Sequence, residues 1–176
     1  MKSDLALVHD LLANDGAAFE ALYENYKHPL FAYCERILGN SADAEDVVHD
    51  TFLKVQQELA SLRDPALFKR WLFRIARNEA LMKIRKRRMN GQVDTDSVWD
   101  DTTPHHQLEA KETVAIVQQL LMNLKPDYRE ALVLREYENL SYAEIAEIVS
   151  ATEGAVKMRI FKARSALTEK LKQYYQ

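Results

Sequence analysis

The sequence predicts an all-α protein of two small helical domains joined by a flexible acidic linker, with a helix-turn-helix in the second domain. Apolar residues recur at three- and four-residue spacing through most of the 176-residue chain, as they do in amphipathic helices. No segment shows a sustained alternation of β-branched residues, so we expect no sheet. Residues 91–104 (GQVDTDSVWDDTTP) interrupt the helical period and hold four aspartates and no basic residue, which indicates a linker.

The linker separates two stretches that are each long enough for a small helical domain. We place the first domain at residues 1–90, the linker at 91–106 and the second domain at 107–176. The first domain contains four predicted helices: a short one before Asn14, one over about 17–38, one over about 42–60 and one from Pro65 to about Arg88.

Glycine, proline and capping residues set these helix limits. Gly39 ends the second helix, Pro29 is expected to bend it, and Ser41 is expected to cap the third. Asp64 and Pro65 form a start signal for the fourth helix, because aspartate caps helices and proline favours the first helical position.

The second domain ends in a pattern typical of a helix-turn-helix. It follows predicted helices over about 107–123 and 126–137. Ser141 is placed to cap the first helix of the pattern, and Glu144, three residues on, completes a capping box. Thr152 can cap the second helix through its hydroxyl group.

This second helix is basic outside its apolar stripe. The stripe consists of Val156, Ile160 and Ala163, and the cationic side chains are Lys157, Arg159, Lys162 and Arg164. A helix-turn-helix inserts such a helix into the major groove of DNA. A solvated surface helix shows the same pattern, so this segment alone leaves both interpretations open.

The charged residues are distributed unevenly along a chain whose net charge is −3. Residues 1–68 carry 12 acidic and 5 basic side chains, residues 69–88 carry 9 basic and 1 acidic, and residues 154–176 carry 6 basic and 1 acidic. Two positive segments in an acidic protein favour local contact with a polyanion.

Several classes of protein are excluded by what the sequence lacks. Cys34 is the only cysteine, so we expect a small core residue and neither an intrachain disulfide nor a cysteine-rich metal site. No signal peptide or membrane span is present, so we expect a cytoplasmic protein with no direct membrane insertion. The absence of a phosphate-binding glycine loop, an HExxH motif and a nucleophile–base pair argues against an enzyme, a cofactor and a metal site.

The basic segment 68–88 (FKRWLFRIARNEALMKIRKRR) combines arginines with aromatic residues. Arginines that contact phosphates add affinity without sequence information. Trp71 and Phe73 can stack on unpaired bases, although we favour Trp71 as a core residue. Asn78 can hydrogen-bond a base edge or a local backbone group. The predicted buried stripe of this helix is Phe68, Leu72, Ile75 and Leu81.

Acidic residues of the third helix continue beyond its first turn. Asp43 and Asp46 lie where the helix dipole favours acids, but Asp50 lies one turn further along the same face. An acidic and apolar face of this kind favours a protein partner with basic side chains. The apolar residues exceed what one narrow stripe requires: Val47, Val48, Phe52 and Leu53.

In their order and separation, these segments resemble the conserved regions of bacterial sigma factors of the extracytoplasmic-function (ECF) group in the sigma-70 family. DAEDVVHDTFLKV (43–55) is similar to region 2.2, which docks on the β′ clamp of RNA polymerase. Residues 68–88 are similar to regions 2.3 and 2.4, which melt and read the −10 element. LKPDYREALVLREYENLSYAEIAEI (124–148) and EGAVKMRIFKAR (153–164) are similar to region 4, which binds the −35 element.

The resemblance implies three sets of contact residues and a set of partners. The polymerase-binding set is Asp43, Asp46, Val47, His49, Asp50 and Phe52. The −10 set is Trp71, Arg74, Arg77, Asn78, Lys83, Arg85, Arg87 and Arg88. The −35 set is Thr152, Glu153, Lys157, Arg159, Lys162 and Arg164, of which we expect Arg159 to read a base. The implied partners are core RNA polymerase (β′ clamp and β flap), promoter DNA and an anti-sigma factor.

The chain departs from the family pattern at positions that influence base preference. Ser150 stands where glycine is common, Ala155 and Met158 stand where serine or threonine is common, and Met82 stands where aspartate is common. A stand-alone helix-turn-helix regulator would explain residues 141–164 but neither of the other segments. An RNA-binding helical module would explain the charge but not the helix-turn-helix. We therefore interpret the chain as a sigma factor.

Overall fold

The structure is a computed structural model that describes residues 2–90 and 110–174. Within these two ranges the chain forms α-helices and no strand, so the all-α prediction is confirmed. The chain divides into two compact units, with the division between Arg85 and Lys86. The predicted linker, residues 91–106, lies outside the described residues.

The first unit is built from four helices whose ends follow local chain chemistry, and the last of them continues past the division at Arg85. Asn14 and Gly39 both adopt left-handed backbone conformations, with φ of 64° and 66°, at the ends of the first two helices. Pro29 lies inside the second helix, which continues through it. The helices are α1 (Asp4–Leu12), α2 (Gly16–Leu38), α3 (Ser41–Glu58) and α4 (Phe68–Met89).

The start of α3 differs from the sequence prediction by one residue. Asn40, not Ser41, is the N-cap, because its backbone is extended and its side-chain oxygen accepts a hydrogen bond from the Asp43 amide at 2.9 Å. Ser41 is already helical, and its hydroxyl donates to Glu35 Oε1 at 2.6 Å. Asp64 caps the 3₁₀ turn Pro65–Leu67 that leads into α4, as the start signal predicts.

Aromatic side chains from α2 and α4 form the core of the first unit. The rings of Tyr33 and Phe73 meet edge to face, with centroids 5.4 Å apart, and those of Tyr26 and Phe68 are 5.6 Å apart. Cys34 is buried in this core, as predicted, and desolvation raises the pKa of its thiol to about 12. The thiol is therefore uncharged at neutral pH and packs as a small apolar group.

The second unit contains the predicted helix-turn-helix. Ser141 Oγ accepts a hydrogen bond from the Glu144 amide at 3.2 Å, and Glu144 Oε2 accepts one from the Ser141 amide at 2.8 Å, which confirms the capping box. Thr152 Oγ1 likewise accepts from the Ala155 amide at 3.2 Å. The helices are α5 (Ala110–Met122), α6 (Pro126–Glu136), α7 (Tyr142–Val149) and α8 (Glu153–Tyr174).

An arginine inside the second unit joins α5 to α6. Arg129 is buried, and its Nη1 atom donates to the Met122 carbonyl oxygen at the end of α5 at 3.0 Å. Desolvation lowers the pKa of this guanidinium. The hydrogen bond supplies a donor to a helix-terminal carbonyl that has no partner within its own helix.

The turn between α7 and α8 places a non-glycine residue in the left-handed region. Ser150 has φ 53° and ψ 52° at the C-cap of α7. This conformation costs an L-residue about 1–2 kcal/mol, and glycine avoids that cost.

We expect Ser150→Gly to stabilise the second unit by up to about 1 kcal/mol, because relief of the backbone strain exceeds the added entropy of the unfolded chain. Amide hydrogen exchange in α7 and α8 of the full chain should slow by up to about fivefold. Gly39→Ala is the matched control, and exchange in α2 should accelerate. Unchanged or faster exchange in the Ser150→Gly variant would show that the serine is not strained.

Candidate functional surfaces

One side of α3 forms an exposed acidic surface. Asp46, His49, Asp50 and Leu53 recur at three- and four-residue spacing, and all four are exposed. We call these four residues the α3 surface. Two other residues of the predicted polymerase-binding set, Val47 and Phe52, do not reach it, because both are buried in the core.

Phe52 supports the α3 surface from inside the first unit. Its ring meets that of Tyr23 at 4.8 Å and that of Phe19 at 6.1 Å, both edge to face. Tyr23 and Phe19 both belong to α2, so their contacts with Phe52 fix α3 against α2. The sequence pattern showed too many apolar residues for one narrow stripe, and Phe52 accounts for part of that excess by packing inward.

A lysine of α4 connects two carboxylates at the start of α3. Lys83 Nζ lies 2.6 Å from Asp46 Oδ2 and 3.2 Å from Asp43 Oδ1. The side chain of Asp43 is 16% exposed, whereas that of Asp46 is 63% exposed. The hydrogen bond from Lys83 holds the pKa of the Asp46 carboxyl below its ordinary value. The ion pair therefore favours the ionised form of the Asp46 carboxyl.

A second ion pair connects the same two helices with the charges reversed. Lys54 of α3 lies 2.6 Å from Glu79 of α4, and the Glu79 side chain is almost fully buried. The pair raises the pKa of Lys54, chiefly through the hydrogen bond to Glu79. Two lysine side chains, one from each helix, thus bridge α3 and α4.

The outward side of α4 carries part of the predicted −10 set. Successive members follow one another at intervals of four, seven and three residues, which places them on one side of the helix. All of them are exposed, and we call them the outer α4 surface: Arg74, Asn78, Arg85 and Arg88. Arg77 and Arg87 are half-buried and make contacts within the protein.

Three other residues of α4 do not contribute to this surface, one because of the side of the helix on which it lies and two because they are buried. Lys83 follows Arg74 by nine residues, about two and a half turns, and so lies on the opposite side of the helix. Trp71 is only 6% exposed, and its ring lies 6.0 Å from that of Phe68, which confirms it as a core residue. Phe73 is buried as well. Neither aromatic side chain is available to stack on a base in this structure.

The two lysines of the predicted −35 set lie over tyrosine rings. Lys157 Nζ is 5.5 Å from the centroid of the Tyr142 ring, and Lys162 Nζ is 6.0 Å from that of Tyr128. Both lysines are exposed. A ring face attracts a cation but does not neutralise its charge, so the lysines keep their ability to pair with an anion.

The two arginines of this set instead form ion pairs with carboxylates of α6. Arg159 Nη2 lies 3.1 Å from Asp127 Oδ2, and Arg164 Nε donates to Glu136 Oε1 at 3.1 Å. Arg159 is half-buried, whereas Arg164 is exposed. These ion pairs connect α8 to α6 and partly compensate the positive charge of both arginines.

Other exposed residues lie at the N-terminal turn of α8 and along its outward side. Thr152 and Glu153 are exposed beside the turn. Met158 and Phe161 are also exposed, Phe161 by 66%. The sequence prediction omitted Phe161, although its position outside the stripe of Val156, Ile160 and Ala163 could have revealed it.

Across residues 2–90 and 110–174, each helix is too short or too polar to span a bilayer. Over the same residues, no three His, Cys, Asp or Glu side chains gather as they would around a metal ion.

Comparisons with known proteins match both units. The Sigma-70 region 2 family matches residues 22–89, and the Sigma-70, region 4 family matches residues 115–167. The RNA polymerase sigma-H factor of Pseudomonas aeruginosa is 31% identical, over 97% of this chain and 94% of that protein. The ECF RNA polymerase sigma-E factor of Escherichia coli K12 is 33% identical, over 96% of this chain and 94% of that protein.

Two solved structures are similar across most of the chain. One is the sigma factor RpoE of Bartonella quintana in complex with the anti-sigma factor NepR, with 29% identity, a TM-score of 0.71 and coverage of 88% of this chain and 96% of that one. The other is CnrH in complex with the cytosolic domain of CnrY, with 25% identity, a TM-score of 0.76 and coverage of 98% and 99%. Together with the two family matches, these relatives show that the chain belongs to the ECF group of the sigma-70 family, the promoter-specificity subunits of bacterial RNA polymerase.

Proposed function

We propose that each charged surface of this sigma factor has its own partner. The α3 surface docks on the β′ clamp of core RNA polymerase, the outer α4 surface contacts the −10 element, and α8 contacts the −35 element while the second unit meets the β flap. The observation that carries this proposal is the separation of the acidic α3 surface from the basic outer α4 surface within one unit. One unit can then hold a basic protein and DNA at the same time.

Charge complementarity supports docking through the α3 surface. Asp46 and Asp50 are exposed, and the hydrogen bond from Lys83 holds the pKa of Asp46 below its ordinary value. An acidic surface steers and orients a basic partner, and like charges placed across an interface cost several kcal/mol. Leu53 adds an exposed apolar side chain beside the carboxylates, as protein interfaces require at their centre.

The outer α4 surface fits a nucleic-acid strand. Its three arginines extend over about 21 Å, at 1.5 Å per residue between Arg74 and Arg88. They supply phosphate contacts, whereas Asn78 supplies the donor and acceptor needed to recognise one base. We assign Trp71 to the core that holds α4 in place, since its ring is buried.

The contacts of α8 suggest a division of roles within the −35 set. Lys157 and Lys162 keep uncompensated charge over tyrosine rings and act as phosphate anchors. Arg159 and Arg164 are paired with acids and position α8. Thr152 and Glu153 lie at the end of α8 that reaches base edges in a helix-turn-helix.

An anti-sigma factor is the remaining proposed partner, since the similar structure of the Bartonella quintana sigma factor RpoE was determined with the anti-sigma factor NepR. It would cover the α3 surface and α8 and so compete with polymerase and DNA. Because polymerase and chromosomal DNA are its other partners, we place the protein in the cytoplasm. The polymerase performs the chemistry, and sigma-70 family proteins are non-enzymatic initiation factors, so we assign no catalysis to this chain.

We expect the double variant Asp46→Lys, Asp50→Lys to abolish assembly with core polymerase. Reversal of both charges places like charges against the basic partner, while folding should survive because both side chains are exposed. Native gel electrophoresis of the full chain with core polymerase measures assembly. Glu20→Lys, Glu24→Lys on α2 is the control with the same charge change. Undiminished assembly of the α3 variant would exclude the α3 surface as the docking site.

We expect Lys157→Ala and Lys162→Ala each to weaken binding to all promoter sequences alike. Each loss of a phosphate contact should lower the slope of log affinity against log salt by about one. Promoter binding by holoenzyme at several salt concentrations gives this slope.

Arg159→Ala is the contrasting variant in the same experiment. As a positioning residue it should leave the salt slope and the promoter sequence profile unchanged, and Asp127→Asn should reproduce its effect on stability. A relaxed preference at a single base in Arg159→Ala would instead identify Arg159 as a base reader.

We expect an anti-sigma factor to protect both units from hydrogen exchange at once. The product of a neighbouring gene is the first candidate, and protection of the full chain should appear at residues 43–53 and 153–164. The Asp46→Lys, Asp50→Lys variant should lose protection at 43–53. Protection limited to one unit would contradict a partner that covers both surfaces.

A further inference from the structure

Lys83 is a basic residue of the −10 segment that points away from the DNA-facing side of its helix. It lies about two and a half turns from Arg74 and therefore on the opposite side of α4 from the outer α4 surface. Its side chain is 28% exposed and ends between Asp43 and Asp46 of α3. A phosphate that reached Lys83 would also meet the exposed carboxylate of Asp46, which repels it.

The geometry at Asp46 leaves part of its carboxylate available. Lys83 contacts Oδ2 at 2.6 Å. A carboxylate can accept hydrogen bonds at both oxygens, so Oδ1 can meet a second cation while Oδ2 stays bound. The side chain is 63% exposed, which gives a partner access to it.

We infer that Lys83 is a positioning residue for polymerase docking and not a −10 DNA contact. It holds Asp46 through one oxygen, directs the other oxygen outward and keeps Asp43 and Asp46 from repelling each other. The inference rests on the proposed docking function of the α3 surface. It also divides the basic residues of one helix between two partners, because Arg85, two residues on, faces DNA.

The test measures core affinity and DNA binding separately in the full chain. Lys83→Met should weaken binding to core polymerase by about three- to tenfold, since a preorganised charge contact is lost. Lys83→Arg should restore affinity to within about twofold, because arginine also donates to both carboxylates. The double variant Lys83→Met, Asp46→Asn should bind no more weakly than Asp46→Asn alone, because Lys83 acts through Asp46.

DNA binding provides the contrast. With core polymerase saturated by excess sigma factor, the salt slope of promoter binding should be unchanged in Lys83→Met. It should fall by about one in Arg85→Met, which removes a phosphate contact from the outer α4 surface.

One control and one replacement variant separate positioning from a simple loss of structure. Lys54→Met breaks the other ion pair between α3 and α4, so it should lower the melting temperature. Its effect on core affinity should add to that of Asp46→Asn, whereas the effect of Lys83→Met should not. If Lys83→Met fails to fold, Lys83→Gln keeps a hydrogen-bond donor without the charge and takes its place.

The outcomes distinguish this inference from the docking proposal. Wild-type or tighter core affinity in Lys83→Met, or a salt slope lowered by about one, would overturn the positioning role. If the Asp46→Lys, Asp50→Lys variant still assembles, the docking proposal fails. If that variant fails to assemble with core polymerase and Lys83→Met binds core polymerase as tightly as the wild type, only the role of Lys83 is rejected.

Discussion

The packing of Phe73 against Tyr33 determines which residues of α4 face outward. Both rings are buried, and they meet edge to face at 5.4 Å. Rotating α4 by one residue would turn its side chains through about 100° and remove this aromatic side chain from the core. Truncation of a buried phenylalanine costs about 3–5 kcal/mol, so the rotation of α4 is strongly determined.

With α4 held in this orientation, its basic residues acquire different environments. Arg74, Arg85 and Arg88 are exposed on one side, whereas Lys83 is directed toward the carboxylates of α3. Under the proposed function, the helix serves DNA with one side and organises the docking surface with the other. On that proposal, one helix keeps two partners apart in a small unit, without a separate structural element for each.

In the second unit, buried residues also determine the rotation of a helix, but the charged side chains of that helix meet different partners. The buried stripe of Val156 and Ile160 determines the rotation of α8 and brings its basic residues beside α6 and α7. There, the arginines meet carboxylates and the lysines meet tyrosine rings. Guanidinium groups suit directed pairing with carboxylates, whereas an ammonium on a flexible stem can leave a ring to bind a phosphate.

Sequence alone determined the local features of this protein: the helical period, the helix ends at Gly39 and Pro126, and the capping box of Ser141 and Glu144. Each depends on residues close together in the chain, so short-range chemistry was sufficient. The N-cap of α3 could not be predicted in this way. Asn40 and Ser41 are adjacent and both can cap a helix, and only the backbone conformation selects Asn40.

Tertiary structure alone decided which predicted contact residues are exposed and which are already paired. Trp71, Val47 and Phe52 are buried because neighbouring helices cover them, and the partners of Lys83 and Arg159 lie 37 and 32 residues away in sequence. Burial and charge compensation depend on what lies opposite a side chain. A helical pattern records the side of the helix on which a residue lies, but not the residue that faces it.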